Sequence, residues 1–253
     1  MVGDSKPNCL IVTGASRGIG AATAILAASE GWQVVVNYLG DEKAAEFVVQ
    51  TIQSVGGVAI SCQGDVSQEK DVEGMFEFAE KEFGEIAGLV NNAGTLEQQM
   101  RLDQMDGARL DRVLAVNVKG SFLCARQSVL RMSEKYGGKG GSIVNVSSAA
   151  SRLGAASEYI DYAASKGAID TMTIGLANEV AKEGIRVNAV RPGFIDTEIH
   201  ARGGEPGRLE RVREFIPLGR PGTSEEIANT IVWLLSDKAS YCTGAFIDCA
   251  GGR

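Results

Sequence analysis

The stretch CLIVTGASRGIGAATAILAASEGWQVVVNY, residues 9–38, decides the fold prediction. It begins with a short apolar run, continues through a glycine-rich turn, and then shows the apolar periodicity of a helix. A second, β-branched run, QVVVNY, ends it. Strand, helix and strand in this order form a βαβ unit, in which the helix crosses over the sheet and leaves the two strands parallel.

The same alternation continues along the rest of the chain. Further strand-like runs end in turn or polar residues, namely VAISCQGD (58–65), IAGLVNNAG (86–94), GSIVNVSS (141–148), GIRVNAVRPG (184–193) and GAFIDCAGG (244–252). Segments with helical periodicity separate them, and the longest extends from 109 to 137. We therefore predict an α/β fold with a single domain, residues 1–253, built as a doubly wound parallel sheet of Rossmann type with helices on both faces.

Composition limits the class of partner. The formal net charge is −7 and the pI is about 5.0, which argues against a nucleic-acid or anionic-membrane surface and favours a small molecule. No apolar run reaches the roughly 18 residues of a membrane span, and the N-terminus lacks a secretory signal pattern, so we expect a cytoplasmic protein. The five cysteines are scattered along the chain, which indicates reduced thiols, and no metal site is predicted.

One polar segment interrupts the ordered pattern, FIDTEIHARGGEPGRLERVREFIPLGRPG, residues 194–222. A loop of this length is usually functional, so we expect a substrate lid, with surface decoration as the alternative. It contains His200, the single histidine, which we interpret as a surface residue. Its arginines could bind an anionic substrate, but the alternating charges of RLERVRE (208–214) favour a solvated helix face. These arginines are Arg202, Arg208, Arg211 and Arg213.

The turn after the first strand contains Gly14, Gly18 and Gly20. Between a strand and a helix, the absence of side chains lets a pyrophosphate approach the backbone, and the helix N-terminus attracts its charge. The same residues match the G-x-S-x-G nucleophile elbow of hydrolases, with Ser16 as the nucleophile. Too few residues precede Ser16 to supply the strands and the oxyanion loop of a hydrolase sheet, so we favour a cofactor-binding turn.

A second chemical signal lies in EYIDYAASKG, residues 158–167. In a helix, residues four positions apart share a face, so Tyr162 and Lys166 would be neighbours. Tyr159 has Ala163 at that spacing, so Tyr162 is the tyrosine that can pair with the lysine.

Several short motifs follow one another in a fixed order. They are TGASRGIG (13–20), NNAG (91–94), Asn117 in VLAVNVKG, the serines of IVNVSS, YAASK (162–166) and RPG (191–193). In their order and spacing, the chain resembles the short-chain dehydrogenase/reductase family from end to end. The resemblance implies hydride transfer between a nicotinamide dinucleotide and an alcohol or carbonyl substrate. It also implies a homotetramer.

Matching of motif positions assigns the catalytic roles to Asn117, Ser148, Tyr162 and Lys166. Tyr162 would act as general acid and base, and the ammonium of Lys166 would stabilise its phenolate and bond the nicotinamide ribose. Ser148 would hydrogen-bond the substrate oxygen, and Asn117 would hold a water that links the site to solvent. Strand alternation puts Ser147 and Ser148 on opposite faces, and the family motif favours Ser148.

The spacing between two of these residues departs from the family pattern. Fourteen positions separate Ser148 from Tyr162, one more than in many members. We expect the extra residue in GAASEYID (154–161), where it would reshape the mouth of the pocket rather than the catalytic geometry.

The resemblance also assigns cofactor contacts to the turns that follow the strands. At the end of the second strand, Asn37 and Tyr38 replace a carboxylate, and Asp41 and Glu42 are expected to begin the next helix. Arg17 could then contact a 2′-phosphate, so we predict NADP(H), with NAD(H) as the less favoured cofactor. The predicted cofactor-binding residues are Gly14, Ser16, Arg17, Gly18, Ile19, Gly20, Asn37, Tyr38, Asp65, Val66, Asn91, Ala93, Gly94, Tyr162, Lys166, Pro192, Gly193, Ile195 and Thr197.

The alternative function is a catalytically silent dinucleotide-binding scaffold or sensor. The presence of both Tyr162 and Lys166 argues against it. The substrate is left open, because oxidation of a sugar, reduction of an acyl-thioester ketone and reduction of a xenobiotic carbonyl all fit the sequence.

Overall fold

The structure, a computed structural model, describes residues 8–198 and 203–253. Within these ranges seven parallel strands form one sheet in the order β3-β2-β1-β4-β5-β6-β7. The strands are β1 (Cys9–Val12), β2 (Gln33–Tyr38), β3 (Val58–Gln63), β4 (Ile86–Asn91), β5 (Gly141–Val146), β6 (Ile185–Pro192) and β7 (Phe246–Cys249). The predicted fold class is confirmed. His200 and Arg202 lie outside the described residues.

Helices connect the strands. They are α1 (Gly18–Ser29), α2 (Glu42–Ser54), α3 (Glu69–Phe83), α4 (Gly107–Leu114), α5 (Gly120–Met132), α6 (Ala150–Leu153), α7 (Ile160–Val180), α8 (Arg208–Val212) and α9 (Ser224–Leu235). Over residues 109–137, α4 and α5 are joined by a π-helical turn at Ala115–Lys119, where the sequence pattern predicted continuous helical periodicity. Among residues 8–198 and 203–253, no helix is both long enough and apolar enough to cross a membrane.

The first strand shows how the sheet is buried on both faces. Leu10 and Val12 share an apolar cluster with α1, α2 and α9, whereas Cys9 and Ile11 share a second cluster with α3, α5 and α7. All four side chains are inaccessible to solvent. Side chains alternate across a strand, so a strand covered on both faces needs apolar residues at consecutive positions, which explains the uninterrupted run CLIV.

The strand order positions the functional site. From β1 the chain proceeds outward on one side through β2 and β3, and then returns to place β4 on the other side of β1. The helices after β1 and β4 therefore lie on opposite faces, and a crevice opens between them at the carboxyl ends of the strands.

Candidate active site

A cavity of about 1070 Å³ extends along the carboxyl ends of the strands. Its volume lies slightly above the usual range for small-molecule sites, roughly 300 to 1,000 Å³. The site residues predicted from the sequence that line it are Gly14, Ser16, Arg17, Gly18, Ile19, Asn37, Tyr38, Asp65, Val66, Ala93, Gly94, Ser148, Tyr162, Lys166, Pro192, Gly193, Ile195 and Thr197. The predicted residues Gly20, Asn91 and Asn117 do not line it.

The glycine turn leaves room for a phosphate group at the centre of the cavity. Gly14 and Gly18 have φ values of +61° and +54°, which side chains rarely tolerate, and a Cβ on Gly14 would lie 2.9 Å from Ala93 Cα. Arg17 is the N-cap of α1 and makes no side-chain capping bond, so its side chain does not occupy the first N–H groups of the helix. Open donors and a bare backbone fit the pyrophosphate of a dinucleotide.

Gly20 serves packing instead of ligand contact. A Cβ at this position would lie 2.5 Å from Asn92 Nδ2 and 2.6 Å from the Gly14 carbonyl oxygen. Its lack of a side chain therefore lets α1 approach the turns after β1 and β4. The prediction that Gly20 contributes to the turn is compatible with this position, but the residue does not reach the cavity.

Asn37 and Tyr38 lie at the end of β2 and differ in role. The Asn37 side chain accepts a hydrogen bond from Gly14 N at 3.2 Å and donates to the Gly64 carbonyl at 3.1 Å, so it braces two loops of the cavity. The ring of Tyr38 is nearly buried and forms part of the wall.

A carboxylate lies in this region that the sequence prediction had excluded. Asp41 caps α2 by accepting a hydrogen bond from Ala44 N, as expected for a helix start, but its other oxygen lies 2.7 Å from Arg17 Nη2. Arg17 Nη1 bonds Glu198 at 2.9 Å. The sequence predicted that no carboxylate would lie where Asn37 and Tyr38 end β2. Asp41 brings one to this region, because the loop after β2 folds back toward the glycine turn.

Two neighbouring asparagines, Asn91 and Asn92, lie where β4 ends, and the structure assigns them roles opposite to those predicted. Asn91 is buried and donates to the Ser121 carbonyl and to Asn145 Oδ1, away from the cavity. Asn92 lines the cavity and donates to the Thr13 and Gly14 carbonyls. The prediction placed Asn91 in the cofactor cradle, and Asn92 occupies that position because side chains alternate along the strand.

Tyr162 and Lys166 lie one turn apart at the start of α7. Lys166 Nζ is 5.6 Å from the centroid of the Tyr162 ring and donates to the Val146 carbonyl at 2.7 Å. Burial lowers the pKa of Lys166 to about 8, and the charge of Asp170 opposes this shift. The ammonium is therefore held in a desolvated place where it loses its proton at a pH of about 8.

The Tyr162 hydroxyl faces Ser148. Burial raises the pKa of Tyr162, while the hydrogen bond with Ser148 and the positive charge of Arg208 act in the opposite direction. We expected the opposing charge to come from Lys166. The charge of Arg208 acts in this direction in the structure, and the role of Lys166 stays a prediction.

Ser147 and Ser148 point in opposite directions. Ser147 Oγ lies 2.6 Å from Asp170 Oδ1 and 3.2 Å from the Lys166 carbonyl, so it fastens β5 to α7. Ser148 Oγ accepts a hydrogen bond from Ala150 N and borders the cavity next to Tyr162. This arrangement leaves Ser148 as the serine within reach of a substrate at Tyr162.

Asn117 lies in the π-helical turn and is fully buried. Its Oδ1 accepts from Thr95 N at 2.7 Å, and its Nδ2 donates to the Thr95 carbonyl and to Ser165 Oγ, both at 3.0 Å. These bonds fasten the loop after β4 to α7 behind the cavity. The assignment of a water to Asn117 stays a prediction.

The substrate end of the cavity is built from aromatic rings and a cation. Tyr159 is buried and donates to the Gly203 carbonyl at 3.1 Å. The Arg208 guanidinium lies 4.8 Å from the centroid of the Tyr159 ring and 5.2 Å from that of Phe194, and it also bonds Glu158. The interpretation of RLERVRE as a solvated face is wrong for Arg208, which packs between rings and lines the cavity.

The loop before α7 has an unusual backbone. Ala155 and Ser157 have φ values of 47° and 61°, a left-handed conformation that is uncommon for residues other than glycine. This loop is where we expected the extra residue, and Ala155, Ala156 and Glu158 all line the cavity. Sequence reasoning did not identify Glu158, because its partners Arg208 and Arg211 come about fifty positions later in the chain.

Comparisons with known proteins agree with this geometry. A family model described as Enoyl-(Acyl carrier protein) reductase matches residues 14–253. The chain is 58% identical over 243 residues to the Uncharacterized oxidoreductase YgfF of Escherichia coli (strain K12), covering 96% of this chain and 98% of that protein. It is 37% identical over 242 residues to the 3-oxoacyl-(acyl-carrier-protein) reductase FabG of Staphylococcus aureus, covering 96% of each.

A solved structure gives the same result. The crystal structure of a dehydrogenase/reductase from Sinorhizobium meliloti 1021 matches with a TM-score of 0.89 and 31% identity, covering 97% of this chain and 94% of that chain. The fold, the site and these matches define an oxidoreductase built on a Rossmann-type sheet. The chain belongs to the short-chain dehydrogenase/reductase family, whose members generally use NAD(P)(H).

Proposed function

We propose that the protein transfers a hydride between NADP(H) and an alcohol or carbonyl substrate, with Tyr162 as the general acid and base. The observation that carries this proposal is the placement of Tyr162 and Lys166 side by side in one cavity with the glycine turn. A scaffold that only bound the dinucleotide would have no use for a phenol and an ammonium held together at this place.

The residues divide the proposed reaction between them. A nicotinamide bound in the cavity supplies the hydride to the carbonyl carbon, or accepts it from the alcohol. The Tyr162 hydroxyl donates a proton to the carbonyl oxygen during reduction and takes it back during oxidation. Ser148 bonds the same oxygen, and the positive charge of Arg208 favours the phenolate. We propose the same electrostatic role for Lys166, whose ammonium lies beside the Tyr162 ring. Lys166 would additionally bond the nicotinamide ribose.

The preference for NADP(H) rests on Arg17. Its guanidinium borders the cavity between Asp41 and Glu198, where a 2′-phosphate could replace a carboxylate as its partner. Asp41 opposes this preference, because its charge repels a phosphate and its oxygen competes for the same guanidinium.

We propose the segment 194–222 as the lid over the substrate. Its described residues Phe194, Val212 and Phe215 line the cavity, and Gly203 is fastened to Tyr159. The apolar walls favour a carbonyl substrate with an apolar body.

We further propose that the protein is a homo-oligomer. Leu114, Phe122 and Leu130 are exposed along α4 and α5, and Ile174 is exposed on α7. Apolar side chains that follow one another on adjacent helices are typical of surfaces buried by association.

Replacement of Tyr162 by Phe should lower kcat by about 100-fold to 10,000-fold, because it removes only the oxygen that transfers the proton. The dissociation constant for NADPH, measured by fluorescence titration, should change by no more than about threefold, since the ring stays in place. Tyr159→Phe is the matched control. It loses a hydrogen bond to the lid, and its kcat should stay within about threefold. An inactive Tyr159→Phe beside an active Tyr162→Phe would reverse the assignment.

The value of kcat/KM for carbonyl reduction should fall as the pH rises through about 8. Reduction requires a protonated Tyr162 and a charged Lys166. The pKa of Tyr162 is raised, so its proton is retained, and Lys166 loses its proton first because burial lowers its pKa to about 8. Full activity therefore lies below this pH. In Lys166→Arg the residual activity should no longer fall as the pH rises through about 8, because a guanidinium stays charged. A fall in kcat/KM that persists near the same pH in this variant contradicts the assignment.

The unmodified protein should prefer NADP(H) to NAD(H) by at least about tenfold in kcat/KM, because one charge-assisted contact contributes roughly 1.5 to 3 kcal/mol. Arg17→Ala should remove most of this preference. Asp41→Ser keeps a capping side chain for α2 and removes the competing charge, so it should increase the preference. Equal use of both cofactors by the unmodified protein would contradict the role of Arg17 and leave the role of Tyr162 untouched.

Replacement of Phe122 by Lys should reduce the molar mass measured by light scattering, because a charge enters the exposed apolar surface. Val55→Lys changes an apolar side chain that is even more exposed, at the end of α2, and should leave the mass unchanged. A monomer of the unmodified protein would refute the proposed association.

A further inference from the structure

A buried ion pair joins α4 to the first turn of α7, the helix that carries Tyr162, and does not line the cavity. Arg109 Nε donates to Asp161 Oδ2 at 2.7 Å, and Nη2 reaches Asp161 Oδ1 at 3.3 Å, so the two side chains meet in a two-pronged contact. The side chains are 5% and 1% exposed, which makes this a pair shielded from water. Asp161 is the residue that directly precedes Tyr162.

The third nitrogen of the Arg109 guanidinium binds a third element. Nη1 donates to the Gln98 carbonyl at 2.6 Å, in the loop that follows β4. The backbone of Arg109 is itself fixed, because its N–H donates to Asp106, the N-cap of α4. One guanidinium therefore joins α4, the loop after β4 and the first turn of α7.

Asn117, in the π-helical turn that follows α4, also joins the loop after β4 to α7. It bonds Thr95 in the loop after β4 and Ser165 on α7. Asp161 and Ser165 are four positions apart and share one face of α7, and Tyr162 lies between them in the sequence. The segment that carries Tyr162 is thus fastened at both ends to the same two neighbours.

We propose that Arg109 and Asp161 are positioning residues that hold Tyr162 in the geometry for proton transfer. This inference rests on the proposed function of Tyr162. A buried ion pair is weak evidence of a contribution to stability, because well-packed apolar residues of similar volume often replace it without loss. Its two-pronged geometry instead specifies one arrangement of α4 against α7. Displacement of a catalytic group by about 1 Å can lower the rate by on the order of 100-fold.

The test compares Arg109→Met/Asp161→Leu, in which apolar side chains fill the same space, with the unmodified protein. The melting temperature should stay within about 8 °C, because the buried charges leave together. We expect kcat for ketone reduction to fall by about 10-fold to 100-fold, while KM and the NADPH dissociation constant change by no more than about threefold. Arg109→Lys keeps the positive charge but loses the second hydrogen bond to Asp161. Its kcat should lie between that of the unmodified protein and that of the double variant.

Arg131→Met is the matched control. Arg131 is mostly buried on α5 and pairs with Glu80 on α3, away from the cavity, so kcat should stay within about twofold. A folded double variant that keeps kcat within about twofold would overturn the proposal, and so would an NADPH dissociation constant that rises as much as kcat falls. If the double variant fails to fold, Arg109→Lys and Asp161→Asn decide, and full kcat in both refutes the positioning role.

A spectroscopic readout separates this proposal from the proposed function. With 3-fluorotyrosine in place of the five tyrosines, Tyr162→Phe identifies the ¹⁹F resonance of Tyr162. That resonance should broaden or split in Arg109→Met/Asp161→Leu and stay sharp in Arg131→Met, whether or not a substrate is turned over. An unchanged resonance in the folded double variant contradicts the positioning role. Absence of carbonyl reduction by the unmodified protein contradicts the proposed function alone.

Discussion

The parallel pairing of β1 with β2 on one side and β4 on the other is the constraint from which the rest of the molecule follows. Each parallel connection must return over the sheet, so every strand delivers its carboxyl end to the same edge. Because the strand order reverses at β1, the helices after β1 and β4 separate and a crevice opens there. The two turns at this crevice are so close that a Cβ on Gly14 would collide with Ala93.

The loops that form the cavity are held by hydrogen bonds that do not belong to the sheet. A strand is held by its ladder of backbone bonds, but the loop after it has no such partners. Amide side chains supply them here. Asn37 braces the turn at Gly14, Asn92 bonds the carbonyls of Thr13 and Gly14, and Asn117 bonds both backbone groups of Thr95. The polar residues at the strand ends thus serve structure as much as ligand binding.

Several cations border the cavity of a chain that is acidic as a whole. The protein is acidic, with a formal net charge of −7, yet Arg17, Lys166 and Arg208 all border the cavity. Arg17 and Arg208 are held by carboxylates, and Lys166 is held by a backbone carbonyl. Local cations in a crevice attract an anionic cofactor even when the surface as a whole is negative. Arg208 also influences the proton equilibrium of Tyr162, which burial alone would shift away from the phenolate.

The sequence by itself determined the strands, the parallel fold, the glycine turn and the pairing of Tyr162 with Lys166. Each of these depends on periodicity or on residues a few positions apart, and such patterns fix local conformation and burial. It also located most residues of the cavity, since strand ends must meet at one edge. The sequence predicted Asn91 at the cavity, where the structure has Asn92. This shows the limit of assigning positions at a strand end, because a shift of one position turns the side chain to the other face.

Tertiary structure alone decided the contacts between distant parts of the chain. Arg17 meets Glu198 across 181 positions, Arg208 meets Glu158 across 50, and Arg109 meets Asp161 across 52. An alternating run of charges such as RLERVRE has the same pattern whether it faces water or a cavity. The difference lies in what the rest of the fold places opposite it, and for Arg208 those neighbours are the rings of Tyr159 and Phe194. The local sequence around Arg208 does not predict these contacts. They form only when the sheet brings the loop before α7 and the segment after β6 together.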